Sequence, residues 1–270
     1  MELTYVPYKE LERIRNLQGS RVERTQLFAT LARLNTLYMI MQAGSGHIGS
    51  SFSAMDIVSW LYLNEMELSS KPDGFGDIYF SSKGHDAPGL YSVLLGLGRL
   101  DFNLLHKLRR LNGLPGPPDV ITPGIHTNTG SLGMGISKAK GMALAHRLQD
   151  KKARIFVLTG DGELQEGQNW ESLASAVHHG LSEITVVVDH NKIQSDTWVS
   201  LVNDLGDLII AEMSPAGYEE ISRAHVIDPT HTVWGRKIVW SHPAFANKSV
   251  YYRNDKEIVC ISLAAEKPAE

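Results

Sequence analysis

Cys260 is the only cysteine among the 270 residues, so neither an intrachain disulfide nor a cysteine zinc cage can form. Long apolar runs are also missing. No stretch approaches the roughly 18 residues that a membrane helix needs. Met1 to Arg15 mixes charges and carries no apolar run of the signal-peptide kind. Charge of one sign is lacking as well. The 26 basic and 30 acidic residues leave a net charge of −4, which argues against a nucleic-acid or polybasic membrane surface. An anionic ligand must then be held locally, by a metal ion or by backbone donors. With so little cysteine, the cytoplasm is the simplest compartment.

What is present is the balance of an ordinary globular protein, 43 % apolar and 21 % charged, with enough chain for a proper core. No internal repeat, low-complexity segment or long polar linker divides it. Up to about Leu208, helical and strand patterns alternate at short intervals. Leu27, Leu31, Leu34, Tyr38 and Met41 recur at three- and four-residue spacing and predict an amphipathic helix over Arg21 to Met41. Gly44 to Ser51 is too flexible to continue it. Ser53 with Asp56 resembles a capping arrangement that opens a helix through about Leu63. Asp77 to Ser82 reads as a strand, Ser82 to His85 as a turn, and Pro88 to Leu97 as a helix. Leu114 to Thr129 is rich in Pro and Gly and reads as a long ordered loop, a type that tends to carry function.

Helices follow over Ser137 to Leu148 and Asn169 to Gly180, with strands at Arg154 to Leu158 and Glu183 to Asp189. The near-continuous apolar strands are those of a parallel sheet buried on both faces. The expected class is α/β, a doubly wound, mostly parallel sheet with helices on both faces, whose ligands bind at the carboxyl ends of the strands. Thr232 to Trp240 and Tyr251 to Ile261 are candidate strands. The Met39 and Met41 region reads as core, Cys260 as a small buried apolar residue, and His178 and His179 as structural. The expectation is one domain over 1–270 with an atypical part after about Leu208.

The chemistry concentrates between Gly160 and Ile193. A buried strand runs straight into Gly160-Asp161-Gly162, and the next strand ends at Asp189-His190-Asn191-Lys192-Ile193. Gly160-x-Gly162 begins a nicotinamide fingerprint, but Gln165 stands at the third glycine position. A carboxylate between the first two glycines would also repel a pyrophosphate. The conflict disappears if Asp161 holds a divalent cation that a diphosphate shares. Magnesium takes oxygen ligands in this way. Asn191, at the end of the next strand, can reach the same ion, because neighbouring strands lie roughly 5 Å apart. The Ile193 carbonyl is a candidate third ligand. A bland turn is the competing reading.

Gly-Asp-Gly after one strand and Asn after the next resembles the thiamine-diphosphate motif. Further blocks resemble transketolase: Gly44-Ser45-Gly46-His47-Ile48-Gly49, Ser81-Ser82-Lys83-Gly84-His85, and Pro123-Gly124-Ile125 with Thr129-Gly130-Ser131-Leu132-Gly133-Met134-Gly135. Gly160 to Gly167 and Asp189 to Ile193 complete the set, and the likeness runs from about Arg21 to Leu208. The resemblance implies thiamine diphosphate and Mg2+ as cofactors, with Asp161, Asn191 and the Ile193 carbonyl on the metal. It implies His85 and Gly162 on the diphosphate and Gly130, Ser131 and Leu132 on the pyrimidine side. His47 would hydrogen-bond substrate oxygens, and Glu166 would join the network between paired active sites. Glu166 also fits a first-turn carboxylate favoured by the helix dipole.

The family's pyrimidine-binding domain, with its catalytic glutamate, has no counterpart before Glu270. The resemblance therefore implies that the partner is a separate C-terminal transketolase subunit, that the substrates are sugars or sugar phosphates, and that the assembly is a heterotetramer. Two departures bear on substrate. Pro117 replaces a histidine that contacts the donor sugar, and His126 replaces a glutamate. Competing readings are a deoxyxylulose-phosphate synthase, a 2-oxo acid dehydrogenase alpha chain and a non-catalytic subunit. The loops around His47 and His85 disfavour the second; Asp161, Asn191 and Glu166 argue against the third, while Pro117 and a short C-terminal region argue for it; carbon dioxide release would reveal the first.

Overall fold

The computed structural model describes residues 3–70, 74–191, 200–203, 205–214, 217–233, 235–239, 243–246 and 249–263. The chain forms two compact units, Met1–Asn191 and Lys192–Glu270. The sequence reads as one domain whose pattern weakens after Leu208; in the structure the division falls earlier, after Asn191.

The first unit is built on three parallel strands, β1 (Ile78–Ser81), β2 (Ile155–Gly160) and β3 (Ile184–Asp189), in the order β1-β2-β3. Side chains alternate across a strand with period two, and both sets are covered. Tyr79, Phe156 and Leu158 join a core with helices α1 (Tyr8–Arg15), α2 (Arg21–Ala43), α4 (Met55–Trp60) and α5 (Ala87–Gly96); α3 (Ile48–Ser53) precedes α4. Ile78, Phe80, Ile155 and Val157 join a second core with α6 (Gly135–Leu148) and α7 (Gly167–His178). Helices on both faces of a parallel sheet make this the doubly wound α/β class expected from the sequence. β2 is buried throughout. β3 is only partly buried, with Thr185 and Val188 exposed.

Three expectations need correction. The stripe on α2 is its core face only in part: Tyr38 is buried and Leu31 packs against the core. Leu27, Leu34 and Met41 are about half exposed, while Phe28, Ala29, Ala32, Asn35, Thr36 and Met39 are buried. Small residues let α2 approach α5 closely enough for Ser92 Oγ to donate to the Ala32 carbonyl at 2.8 Å. The buried Asn35 amide is satisfied from outside the helix, accepting from Val6 N–H at 2.7 Å and donating to its carbonyl at 3.0 Å. Met39 is core as expected; Met41 is not. Second, Ser53 does not open a helix. It ends α3, and its hydroxyl donates to Asp189. Third, Cys260 is exposed, not buried. It pairs with Tyr251 across two strands, β10 (Ser249–Arg253) and β11 (Ile258–Ser262), of which Tyr252 faces the core.

The second unit is antiparallel. β4 (Ser200–Val202), β5 (Asp207–Ser214) and β6 (Gly217–His225) pair in chain order. The stretch from Thr232 folds as a hairpin of β7 (His231–Val233) and β8 (Arg236–Ile238), not as one strand. β9 (Ala244–Ala246), β10 and β11 form a third sheet. The single strand expected over Tyr251 to Ile261 is broken at Asn254, whose Oδ1 accepts from Lys256 and Glu257 N–H, each at 2.8 Å. Such Asx turns reverse the chain. Ile227, Val239 and Tyr252 make the small core of this unit.

Candidate functional site

The carboxyl ends of β1, β2 and β3 run into Ser82-Lys83-Gly84-His85, Asp161-Gly162 and His190-Asn191. The register pairs Gly160 with Asp189, and Asp161 N–H donates to the Asp189 carbonyl at 3.3 Å. Asp161 and Asn191 therefore leave neighbouring strands side by side. The Asp161 carboxylate is 2 % exposed; its Oδ1 accepts from Gly162 N–H at 2.9 Å, and its Oδ2 lies 3.9 Å from His190 Nε2. Ile193 lies outside the described residues.

Beneath these ends sits a buried ionic layer. Lys83 is 3 % exposed, and its Nζ lies 2.6 Å from Asp189 Oδ2 and 3.5 Å from Asp86 Oδ2. Ser81 Oγ donates to Asp86 Oδ2 at 2.8 Å. Glu163, 3 % exposed, accepts from the Ser82 hydroxyl, from Gly133 N–H at 2.7 Å and from Gly160 N–H at 3.2 Å. Lys83, Asp86, Glu163 and Asp189 take no part in the sequence-level site. The signal for them was a set of charged residues inside apolar, glycine-rich blocks, where burial forces pairing.

Above the layer lies an exposed rim. His47, at the start of α3, stacks at a tilt on the half-buried His85 ring, with centroids 4.9 Å apart. Gly130, Ser131 and Leu132 are exposed on the loop before α6, and Glu166 is exposed at the start of α7 without a side-chain capping bond. The loops are fitted to each other without room for side chains. A Cβ on Gly84, whose φ is +62°, would meet the Gly130 nitrogen at 2.6 Å; one on Gly133, at φ +79°, would meet Glu166 Cβ at 2.7 Å. The sequence-predicted residues within the described chain are thus brought to one end of the sheet. His126 is not among them. It lines a cleft with Gly76, Asp77 and Arg99 by the amino end of β1, so its departure from the family pattern does not bear on this end. Pro117 does lie close to the rim, its Cβ 4.0 Å from where a Cβ of Gly130 would stand.

Burial holds the His85 ring below its ordinary 6.5, helped by Lys83 and His47 and opposed by Asp86. The ring is then neutral at pH 7, with one donor and one acceptor nitrogen. In the unfolded chain it takes a proton near 6.5, in the folded chain only at lower pH. Folding stability therefore falls as pH drops from about 6.5 towards the folded value. A carbon-proton NMR titration is expected to give a His85 midpoint below 6.5; a midpoint at or above it would contradict the environment described.

The residues fit a hard cation shared with a diphosphate. Among the described residues, the buried layer sets one cation, Lys83, against four carboxylates, Asp86, Asp161, Glu163 and Asp189. A further anion needs a counter-ion there. The Thr129 hydroxyl oxygen, next to Gly130, is buried without a hydrogen-bond partner among the described residues. No group of three or more His, Cys, Asp or Glu side chains suited to a metal occurs among the described residues. Among them too, no helix is long and apolar enough to cross a membrane.

Comparison with known proteins agrees with this geometry. The family described as transketolase, thiamine diphosphate binding domain, matches residues 24–212. The chain is 39 % identical to one subunit of the apulose-4-phosphate transketolase of Actinobacillus succinogenes, over 55 % of either protein. It is 37 % identical to a 6-deoxy-6-sulfo-D-fructose transketolase subunit of Clostridium sp., over 67 % of either. Transketolase from Campylobacter jejuni superposes with a TM-score of 0.60 at 29 % identity, covering 67 % of this chain and 30 % of that one. The match thus spans about half to two thirds of the two subunits and under a third of the longer enzyme.

Proposed function

The chain belongs to the transketolase family through its thiamine diphosphate binding domain, and from that premise we propose that it is the N-terminal subunit of a split, thiamine-diphosphate-dependent transketolase. The observation that carries this reading is the buried Asp161 beside Asn191 at the carboxyl ends of β2 and β3, under a rim that is left exposed. In this reading Asp161, Asn191 and the backbone at Ile193 hold Mg2+. His85 and Gly162 bind the diphosphate. Gly130, Ser131 and Leu132 face the pyrimidine side, where a separate C-terminal subunit supplies the other wall.

Bound thiamine diphosphate supplies the electron sink for moving a two-carbon ketol unit between sugars or sugar phosphates. The chain's own residues do the rest. Asp161 offsets cation charge. Neutral His85 offers a hydrogen bond without adding charge. His47, stacked on it, presents ring nitrogens to substrate oxygens. Glu166 stands exposed where a partner chain would meet it. Two relatives are named as subunits, which supports a partner; a heterotetramer is the assembly that the family resemblance implies.

Pro117, close to the rim, has no side-chain donor, so the donor sugar's hydroxyls lose one partner. The names of the two subunit relatives support a donor outside the ordinary pentose phosphates. The test is an assay of the chain alone and with its C-terminal partner, both with thiamine diphosphate and Mg2+. Ketol transfer is expected only from the pair, and not best with xylulose 5-phosphate and ribose 5-phosphate. Full transfer by the isolated chain would overturn the split assignment; equal efficiency on that sugar pair would overturn the donor assignment.

A further inference from the structure

Glu163 has a different relation to the site from the residues around it. Its carboxylate is buried, lies two positions past Asp161, and accepts three hydrogen bonds. Each comes from a different segment of the chain. Ser82 belongs to the turn after β1 that carries His85. Gly133 belongs to the loop before α6 that carries Gly130, Ser131 and Leu132. Gly160 ends β2 immediately before Asp161. The clamp extends further. Ser82 Oγ also accepts from Gly135 N–H at 3.1 Å, and the Glu163 carbonyl accepts from Asn169 Nδ2 on α7 at 2.6 Å.

We propose that Glu163 is a positioning residue for the cofactor: its carboxylate ties together the three segments that would carry diphosphate, pyrimidine and metal. The inference rests on the thiamine-diphosphate reading above. All three of these donors are neutral, so none of them gives the carboxylate an ion pair in return for its desolvation. A buried charge of that kind contributes little net stability. Its effect is geometric. The two carboxylate oxygens hold Gly133 and Ser82 on one side and Gly160 on the other, fixing the separation of the segments. Any other side chain at position 163 leaves a buried N–H unpaired or lets a loop move. Residues that brace metal ligands in this way typically set affinity by roughly 10–100-fold.

The substitution Glu163→Gln keeps the shape and replaces one acceptor oxygen by a donor, so it releases one side of the clamp. Calorimetric titration of the full chain with its partner, using Mg2+ and thiamine diphosphate, is expected to show affinity weakened about tenfold or more. In the assembled enzyme the loss appears in KM for the cofactor more than in kcat, and the Tm of the cofactor-free protein moves little. A structural role alone would lower Tm and active fraction instead. Unchanged cofactor affinity in Glu163→Gln would overturn the inference. Should that variant not fold, Ser82→Ala, which removes the hydroxyl between Glu163 and Gly135, is expected to weaken binding in the same direction, and unchanged affinity there overturns it too. Asp161→Ala, measured alongside, separates the two claims. If it binds as tightly as wild type, the cofactor reading falls and takes this inference with it. If it loses binding while Glu163→Gln keeps it, only the positioning role is lost.

Discussion

Asp161→Ala is expected to abolish measurable thiamine diphosphate binding while leaving the cofactor-free chain at least as stable as before. The two effects have one cause. Asp161 is 2 % exposed, and among the described residues of this layer Asp86, Glu163 and Asp189 stand with it against one buried cation, Lys83. Removing one negative charge relieves repulsion in the empty protein. The same removal takes away a charged metal ligand, and the diphosphate then meets Asp86, Glu163 and Asp189 without its counter-ion. Bracing residues alone are worth roughly 10–100-fold in affinity, so a direct ligand sets a loss on the order of a hundredfold or more. Calorimetry with Mg2+ present and absent, together with a thermal melt of the cofactor-free chain, checks both halves. Affinity within a factor of about three of wild type would dismiss Asp161 as a ligand. A large fall in Tm would show that the carboxylate serves the fold instead, a trade-off opposite to that usual at functional sites.

Lys83→Met is expected to act the other way, lowering stability first and binding only as a consequence. Among the described residues, Lys83 is the cation that meets Asp189 and Asp86 in a layer that excludes water. Methionine fills much of the lysine volume but leaves two buried carboxylates facing each other. Ser53 and Ser81 still donate to them, which offsets part of the cost. Breaking a buried pair from one side typically costs about 3–5 kcal/mol, or a Tm loss on the order of 10 °C for a unit of this size. Differential scanning calorimetry measures it directly. The double variant with Asp189→Asn should recover a substantial part, since the pair is removed together. Additive losses in the two single variants would mean that Lys83 and Asp189 do not act as a pair.

The placement of Asp161 and Asn191 at neighbouring strand ends was legible in the sequence because its signal is local. A carboxylate between glycines just past an apolar strand has few uses, and the spacing to Asn191 follows from one helix and one parallel strand. Element types were legible for the same reason. Periodicity, proline at the start of α5 and the glycine-rich breaks act over a few residues. The α2 stripe misled because periodicity finds an apolar face without saying whether anything covers it. Leu34 at 49 % exposed and Met41 at 53 % exposed are apolar by composition alone, whereas Asn35 is buried because Val6 happens to satisfy its amide. Cys260 misled likewise: its exposure follows from which face of β10 and β11 meets the small core.

The amino-acid order by itself determined the three parallel strands and the glycine-rich turns that follow them, since these depend on neighbours in the chain. The tertiary structure decided which charges became buried partners. Lys83 meets Asp189 across 106 positions, and Glu163 reaches back 81 positions to Ser82 and 30 to Gly133. Such pairings exist only once the strand ends are brought side by side, because burial makes an unpaired charge costly only after water has been excluded.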